Sequence, residues 1–493
     1  MLGLSELALL SIPLFCIAMV KIVNYKPEPI FNVYQRPNSY YWIKVTIMFI
    51  LLYVKQLVNK IIRALKDKDD LQKYHKELET NQNLSSHKQA TNAVYFKGSS
   101  ENGDHIIVAV TRRINKLVDS YIFLKINNEN IGLLEGLQLP DTTSYQTESN
   151  TGFEVDGLSV QCLEPMKTWR IKYQGKMKKS KDPSIIFNVD LDVKYTSNLP
   201  LIDFETDIDP LTMAKCIALE KWNKEFFQLL KGNSQTLYEQ HGNIEGYAAI
   251  NGNTFDLDMY SSKNRSFGQQ GEWRNVHKYN LHMFSTESGD RFTVGEYCFP
   301  LTLSSFKMGF VYSATDEKVY PITYNDFQLY QHGESGNPPS DYAFTIIAGG
   351  RTYTIKVDVI DSSHFYISKD WECKIIQRFC SFKVNSLKGW GTSECQQRNM
   401  LGRSIIQNNN GINSMANNTH SENNSKLLCG KYRSVCESKS QSENNIKIKI
   451  KTENRRQNNT ELVINQELIC EQCEKVCESR IEFWKHLRTH DAK

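Results

Sequence analysis

The stretch "YAFTIIAGGRTYTIKVDVI", Tyr342 to Ile360, decides the fold class. Phe344 and Ile346 before the double glycine, and Tyr353, Ile355, Val357 and Val359 after it, are spaced by two. That is the period at which strand side chains return to one face. Gly349-Gly350 is a two-residue hairpin dipeptide, so the stretch reads as two antiparallel strands and their turn. "INGNTF", Ile250 to Phe255, repeats the pattern. Outward from these hairpins the same texture continues in "HIIVAVTRR", "SYIFLKI", "TWRIKYQGKM", "SIIFNVDLDVKYT", "RFTVGEYCF" and "MGFVYSATD". Short runs rich in Val, Ile, Tyr, Phe and Thr between turn residues are strand signals. The expectation is a mainly β protein whose large antiparallel domain, a double barrel or sandwich, fills residues 92–395.

One helix is expected inside it. "DPLTMAKCIALEKWNKEFFQLLKG" offers Asp209 as N-cap, Pro210 in the first turn and Gly232 as C-cap. Cys216, Leu219, Phe226, Phe227 and Leu230 fall on one helical face, as a packing stripe against the sheet.

The flanks differ. Leu2 to Val20 is an apolar run close to the length that spans a hydrocarbon core, and a second run, Tyr40 to Val58, has an uncharged centre from Val45 to Val54. Residues 1–62 therefore read as a membrane anchor of one or two helices, the second either spanning or lying in the interface. Residues 63–91 are charged and read as a helix or linker. Residues 396–466 are rich in Asn and Ser and read as a disordered tether.

The chain closes on "CEQCEKVCESRIEFWKHLRTH". Cys470, Cys473, His486 and His490 make C-x2-C-x12-H-x3-H, two thiolates and two imidazoles at the spacing of a tetrahedral site for one structural zinc. Residues 467–493 are thus expected to form a small ββα zinc finger, with Cys477 where an aromatic is usual. Its base-facing positions would be Ser479, Glu482 and Lys485, and one finger covers only about 3 bp. Five basic side chains, Lys475, Arg480, Lys485, Arg488 and Lys493, are offset by Glu471, Glu474, Glu478, Glu482 and Asp491. Phosphate attraction supplies most non-specific affinity, so sequence-specific DNA binding is not expected, and contact with a protein partner or a purely structural end cap is favoured.

Bulk numbers agree with local partners only. A net charge of +4 over 493 residues excludes a polyanion-coating surface, and 12 scattered cysteines do not resemble a secreted disulfide scaffold. A membrane protein with its bulk in the cytosol is the expected location.

Several stretches are familiar as a set: "RRINKLVDSYIFLKI", "EPMKTWRIKYQGKM", "NLPLIDFETDIDP", "LYEQHGNIEG", "LYQHGESGNPPSDYAFTIIAGG" and "KVNSLKGWGTSE". Together they resemble the amino-terminal region of arthropod phosphoenolpyruvate-synthase-like (rifampicin-phosphotransferase-like) proteins, over roughly residues 1–395. In that family phosphotransfer belongs to an ATP-grasp domain and a phosphohistidine domain. The sequence after Glu394 resembles neither, so the resemblance carries no phosphotransferase activity to this chain.

The β-rich part is also similar to proteins expected to be pairs of lipocalin-like barrels, related to carotenoid hydratases and tocopherol-cyclase-like proteins. Their motif is R-D-H-S-aromatic-G followed by a Trp. Here the positions are Lys263, Asn264, Arg265, Ser266, Phe267 and Gly268, then Trp273. The resemblance makes Asn264, Arg265, Ser266, Phe267 and Trp273 candidate ligand-binding residues, but an amide does not titrate and an Arg stays charged. A turn at Ser266 to Gly268, with Phe267 and Trp273 packing inward, is the alternative reading of the same residues. "HGESG", His332 to Gly336, reads as a loop, because it lacks the final glycine of a nucleophile elbow.

These readings converge on a membrane-anchored binding protein for an apolar small molecule or a protein, with a tethered finger and no assigned catalytic residue. A cyclase- or hydratase-like enzyme on isoprenoid or lipid substrates is the second expectation, and a zinc-finger regulator of nucleic acid the third.

Overall fold

The computed structural model describes residues 27–65, 68–80, 83–146, 152–231, 235–269, 271, 273–334, 337–400, 402–403, 448–451, 467–470 and 476–477. The chain forms two compact units that divide between Arg398 and Asn399.

The first unit is mainly antiparallel sheet. Its amino-terminal strands are β1 (Ala90–Ser99), β2 (His105–Arg113), β3 (Leu117–Ile126), β4 (Gly132–Gly136), β5 (Thr143–Tyr145), β6 (Phe153–Val155), β7 (Leu158–Glu164), β8 (Thr168–Lys179), β9 (Asp182–Thr196), β10 (Leu201–Asp203), β11 (Gln235–Ile250) and β12 (Asn253–Gln269). Eight of them pair in a ring, β1-β2-β3-β4-β8-β9-β11-β12 and back to β1. The remaining eight strands follow as β13 (Lys278–Thr286), β14 (Arg291–Phe299), β15 (Leu303–Ser313), β16 (Lys318–Asn325), β17 (Asp341–Ala348), β18 (Arg351–Ile367), β19 (Cys373–Val384) and β20 (Leu387–Arg398). They form a closed barrel in which each strand pairs with its neighbour in sequence.

Turn chemistry sets the register. Ala348 pairs with Arg351, leaving Gly349 and Gly350 with φ of 58° and 74°. Positive φ at both central residues belongs to the turn whose twist matches a hairpin. A Cβ on Gly349 would lie 2.7 Å from the Tyr320 ring, so space as well as conformation selects glycine there. Asn251 and Gly252, with φ of 48° and 87°, turn the chain from β11 to β12 in the same way.

Alternation then distributes the cores. Ile106, Val108 and Val110 of β2 join the interior of the first ring with Phe96, Trp169 and Leu191. Ile107 and Ala109, between them, face outward onto Phe365, Ile375 and Phe379 of the second barrel. β19 splits likewise, with Cys380 and Phe382 entering its own barrel beside Phe284 and Phe292. The second barrel is filled by these rings and by Arg378, which donates to Tyr342 (2.8 Å) and Ser393 (2.7 Å).

Among the described residues four helices accompany the sheets: α1 (Tyr41–Leu65), α2 (Lys68–Glu79), α3 (Pro210–Leu219) and α4 (Lys224–Lys231). α3 and α4 correct the single helix expected over residues 209–232. Asp209 does cap α3, accepting from the Thr212 N–H at 2.7 Å. The helix stops because the buried Glu220 carboxylate turns away to accept from the Ser304 N–H at 2.7 Å, and Asn223 then caps α4 through the Phe226 N–H. Cys216 and Phe226 are buried in one cluster with Phe227 and Leu230 packed against it, but from two helices rather than one face, and Leu219 is only half-buried outside that cluster. Gly232 lies outside the described residues.

α1 is long and apolar enough to cross a membrane. It is also bound lengthwise to the β unit. Val45 and Met48 are buried against α3, Lys44 Nζ donates to the Glu220 carbonyl at 2.7 Å and Gln56 Nε2 to the Thr206 carbonyl at 2.6 Å. The opposite face leaves Trp42, Ile43, Ile47, Ile50, Leu51, Val54, Leu57, Val58 and Ile61 exposed. The first apolar run, Leu2 to Val20, lies outside the described residues.

In the second unit β21 (Ile448–Lys451), β22 (Glu467–Cys470) and β23 (Val476–Cys477) form a small antiparallel sheet.

Candidate functional site

Residues 263–268 form no turn. They continue β12, pairing with β1 on one side and β11 on the other, which corrects the corner expected at Ser266 to Gly268. A strand sends alternate residues to opposite faces, so the five candidate residues cannot share one site. Arg265 turns with Lys263 toward the first barrel, where Phe267 also packs, and Asn264 turns toward the second. Trp273, on a short 3-10 turn, packs between the barrels near Tyr95 and Tyr279.

On the first face Lys263 and Arg265 are both fully buried. Lys263 Nζ lies 2.5 Å from Glu79 Oε1, which also accepts from the Tyr238 hydroxyl at 2.5 Å. Glu79 Oε2 accepts from the Trp169 indole N–H, and Cys162 Sγ is 3.7 Å away. The ammonium is 5.6, 5.5 and 5.7 Å from the ring centres of Trp169, Tyr195 and Tyr238, close enough for cation–π attraction. Arg265 donates to Asn92 Oδ1 (2.6 Å), the Ala93 carbonyl (2.8 Å) and the Thr80 carbonyl (3.1 Å), while its Nε has no partner among the described residues. Glu79 comes from the last turn of α2, whose Leu78 is buried beside Met166 and Tyr238. The charged stretch thus supplies the one carboxylate of a buried cluster.

Burial alone would raise the Glu79 carboxyl. The Lys263 charge and the hydrogen bonds from Lys263, Tyr238 and Trp169 outweigh it and hold the group below its ordinary value. Burial lowers Lys263, and it pushes the Cys162 thiol up to about 12, so Cys162 is no nucleophile at neutral pH. A cavity of about 400 Å³ opens beside the pair, walled by Phe153, Val160, Pro165, Trp169 and Cys162 and reached by Glu79. Small-molecule pockets run from about 300 to 1,000 Å³, and this one has their mixed character.

On the second face Asn264 sits directly across from Glu239 of β11. Glu239 Oε1 accepts from the Thr293 hydroxyl at 2.5 Å and lies 3.8 Å from His241 Nε2, while Oε2 has no partner among the described residues. Burial pushes the carboxyl up to about 7, against the pull of Thr293, Asn264 and Lys97. Burial also takes His241 down to about 3, leaving it neutral. A separate buried pair, Lys97 and Glu394 at 3.0 Å, is hydrogen-bonded by Tyr95 and Tyr279. The cavity lined by Lys97, His241, Ser262 and Trp390 holds only about 20 Å³, room for one water.

The loop reading of His332 to Gly336 holds for the described part. Glu334 accepts from Tyr34 and lies 3.2 Å from His277 Nε2; Ser335 and Gly336 lie outside the described residues. Of the expected zinc ligands, Cys473, His486 and His490 also lie outside them, and Cys470 ends β22. β22 pairs with β23 through Leu468–Cys477 and Ile469–Val476.

Glu79, Trp169, Tyr238 and Glu239 escaped the sequence reading because each lies far in the chain from the motif it touches. Lys263 was legible as a motif position, but its partner was not.

Solved structures are similar to the chain only at a distance. A putative AttH from Nitrosomonas europaea is 10% identical with a TM-score of 0.43, covering 65% of this chain and 99% of its own. Kievitone hydratase from Nectria haematococca is 11% identical with a TM-score of 0.41, covering 64% and 91%. CghA bound to Sch210972 is 8% identical with a TM-score of 0.36, covering 63% and 89%. No curated protein matches the sequence. Residues 8–395 match the model of a family of unknown function (DUF8627), and the chain belongs to that family.

Proposed function

We propose that the β unit binds an apolar small molecule in the cavity beside Glu79 and Lys263, and that it does so at a membrane surface. The carrying observation is the cavity itself: about 400 Å³ with Phe153, Val160 and Trp169 in its wall. Each Å² of apolar surface moved there from water contributes about 25 cal/mol. Full-length protein should retain a hydrophobic ligand through gel filtration, seen by native mass spectrometry, and should neither hydrolyse nor be labelled by radioactive ATP. Ligand-free protein removes this reading, and a labelled histidine revives phosphotransfer.

α1 supports the membrane part. Its contacts from Tyr41 to Gln56 hold about 24 Å of helix against the β unit, so lipid cannot surround it as it surrounds a span. The reading is a helix lying in the interface with its exposed apolar face toward acyl chains. The C-terminal residues Cys470, Cys473, His486 and His490 are proposed to hold one structural zinc, with the β22–β23 hairpin as the strand half of the finger.

A second reading, an acid-catalysed cyclase or hydratase, is favoured by Glu239, whose carboxyl is held neutral near pH 7. The cavity nearby, which His241 lines and Glu239 does not, holds about 20 Å³, against about 400 Å³ beside Glu79, and this ranks the reading behind the carrier.

A further inference from the structure

Building on the cavity reading, we infer that the ligand is an amphipathic acid whose carboxylate takes the place of Glu79 against Lys263, with its apolar chain in the cavity. Among the described residues the buried cluster holds two cations, Lys263 and Arg265, and one carboxylate. A buried excess of positive charge behind a cavity with one apolar wall is a site for an anion, because burying charge without a counter-charge is costly. Arg265 Nε adds a fully buried donor with no partner among the described residues.

Glu79 is the one member that the barrel does not itself provide. Lys263, Arg265, Tyr238 and Trp169 stand on strands of the closed ring, whereas Glu79 is the last residue of α2 and lines the cavity. The three donors that meet its carboxylate, the Lys263 ammonium, the Tyr238 hydroxyl and the Trp169 indole N–H, would serve any carboxylate placed there. A ligand acid entering past Phe153 and Val160 reproduces all three bonds and the charge balance. An alcohol of the same chain gains the same apolar burial but leaves Lys263 and Arg265 without a counter-ion once Glu79 withdraws. Glu79 is therefore an internal stand-in for the ligand head group, and its competition sets the affinity.

The test is equilibrium dialysis of full-length protein in lipid nanodiscs, with empty nanodiscs as background, against a radiolabelled medium-chain fatty acid and the alcohol of equal length. The acid should bind at least tenfold more tightly. Glu79→Gln should tighten acid binding about tenfold and leave the alcohol unchanged, and Lys263→Met should erase the preference. Equal binding of acid and alcohol by the unaltered protein overturns the head-group inference while the cavity reading stands; saturable binding of neither overturns both. The unaltered protein decides the matter even if a variant fails to fold.

Discussion

Glu239 and Asn264 face each other across β11 and β12, so a carboxylate stands one strand away from the position where the resembling hydratase motif carries its Asp. Asn264 does not titrate, but its neighbour does.

Glu239 should make stability fall with rising pH. Its folded value of about 7 exceeds the ordinary 4.5, so between those values the folded chain holds a proton that the unfolded chain has released. The difference is worth roughly 3 kcal/mol by the time the pH passes the folded value. Glu239→Gln should therefore match the unaltered protein below about pH 4 and exceed it at pH 8 in urea unfolding. Equal stability at pH 8 would place the ionised carboxylate in better solvation than the buried geometry allows.

Glu79 should behave oppositely. Its carboxyl is held below the ordinary value, so its contribution is complete above that value and fades as the pH falls through the folded one. Glu79→Ala leaves Lys263 buried and unpaired, a change that costs about 3–5 kcal/mol. Urea unfolding at pH 7 should show that loss, and the gap between variant and unaltered protein should close in acid.

Nitroxide labels along the exposed face of α1, at Ile43, Ile50, Leu57 and Ile61, read depth in a bilayer. An interfacial helix predicts one shallow depth at all four positions. A rise to a central maximum would mean that α1 leaves the β unit and spans.

Much of the fold was legible because it rests on local rules. The Gly349-Gly350 and Asn251-Gly252 turns, the alternation of Ile355 and Val357, and the Asp209 cap need only neighbours in sequence. The break at Glu220 was not legible, since Ser304, the partner that draws it out of the helix, lies 84 residues away. The site was hidden for the same reason: Glu79 meets Lys263 across 184 residues, and although Leu71, Tyr74 and Leu78 of α2 recur at helical spacing, that period does not name the surface the helix docks on. Alternation along β12 also separated residues that the motif had grouped.

The finger prediction concerns residues 467–493. A peptide of that length has too small a core to offset chain entropy, so it should fold only when zinc is added, as circular dichroism reports. Cys473→Ser should abolish the change. An unaltered spectrum on titrating zinc into the native peptide contradicts the ligand set.

The central claim is the location of the apolar site, and photolabelling measures it directly. A diazirine-bearing fatty acid, irradiated with full-length protein in nanodiscs and mapped by peptide sequencing, should label the cavity wall at Phe153 to Trp169 and the end of α2, saturably and in competition with unlabelled acid. Label confined to α1, or to the second barrel, would contradict it.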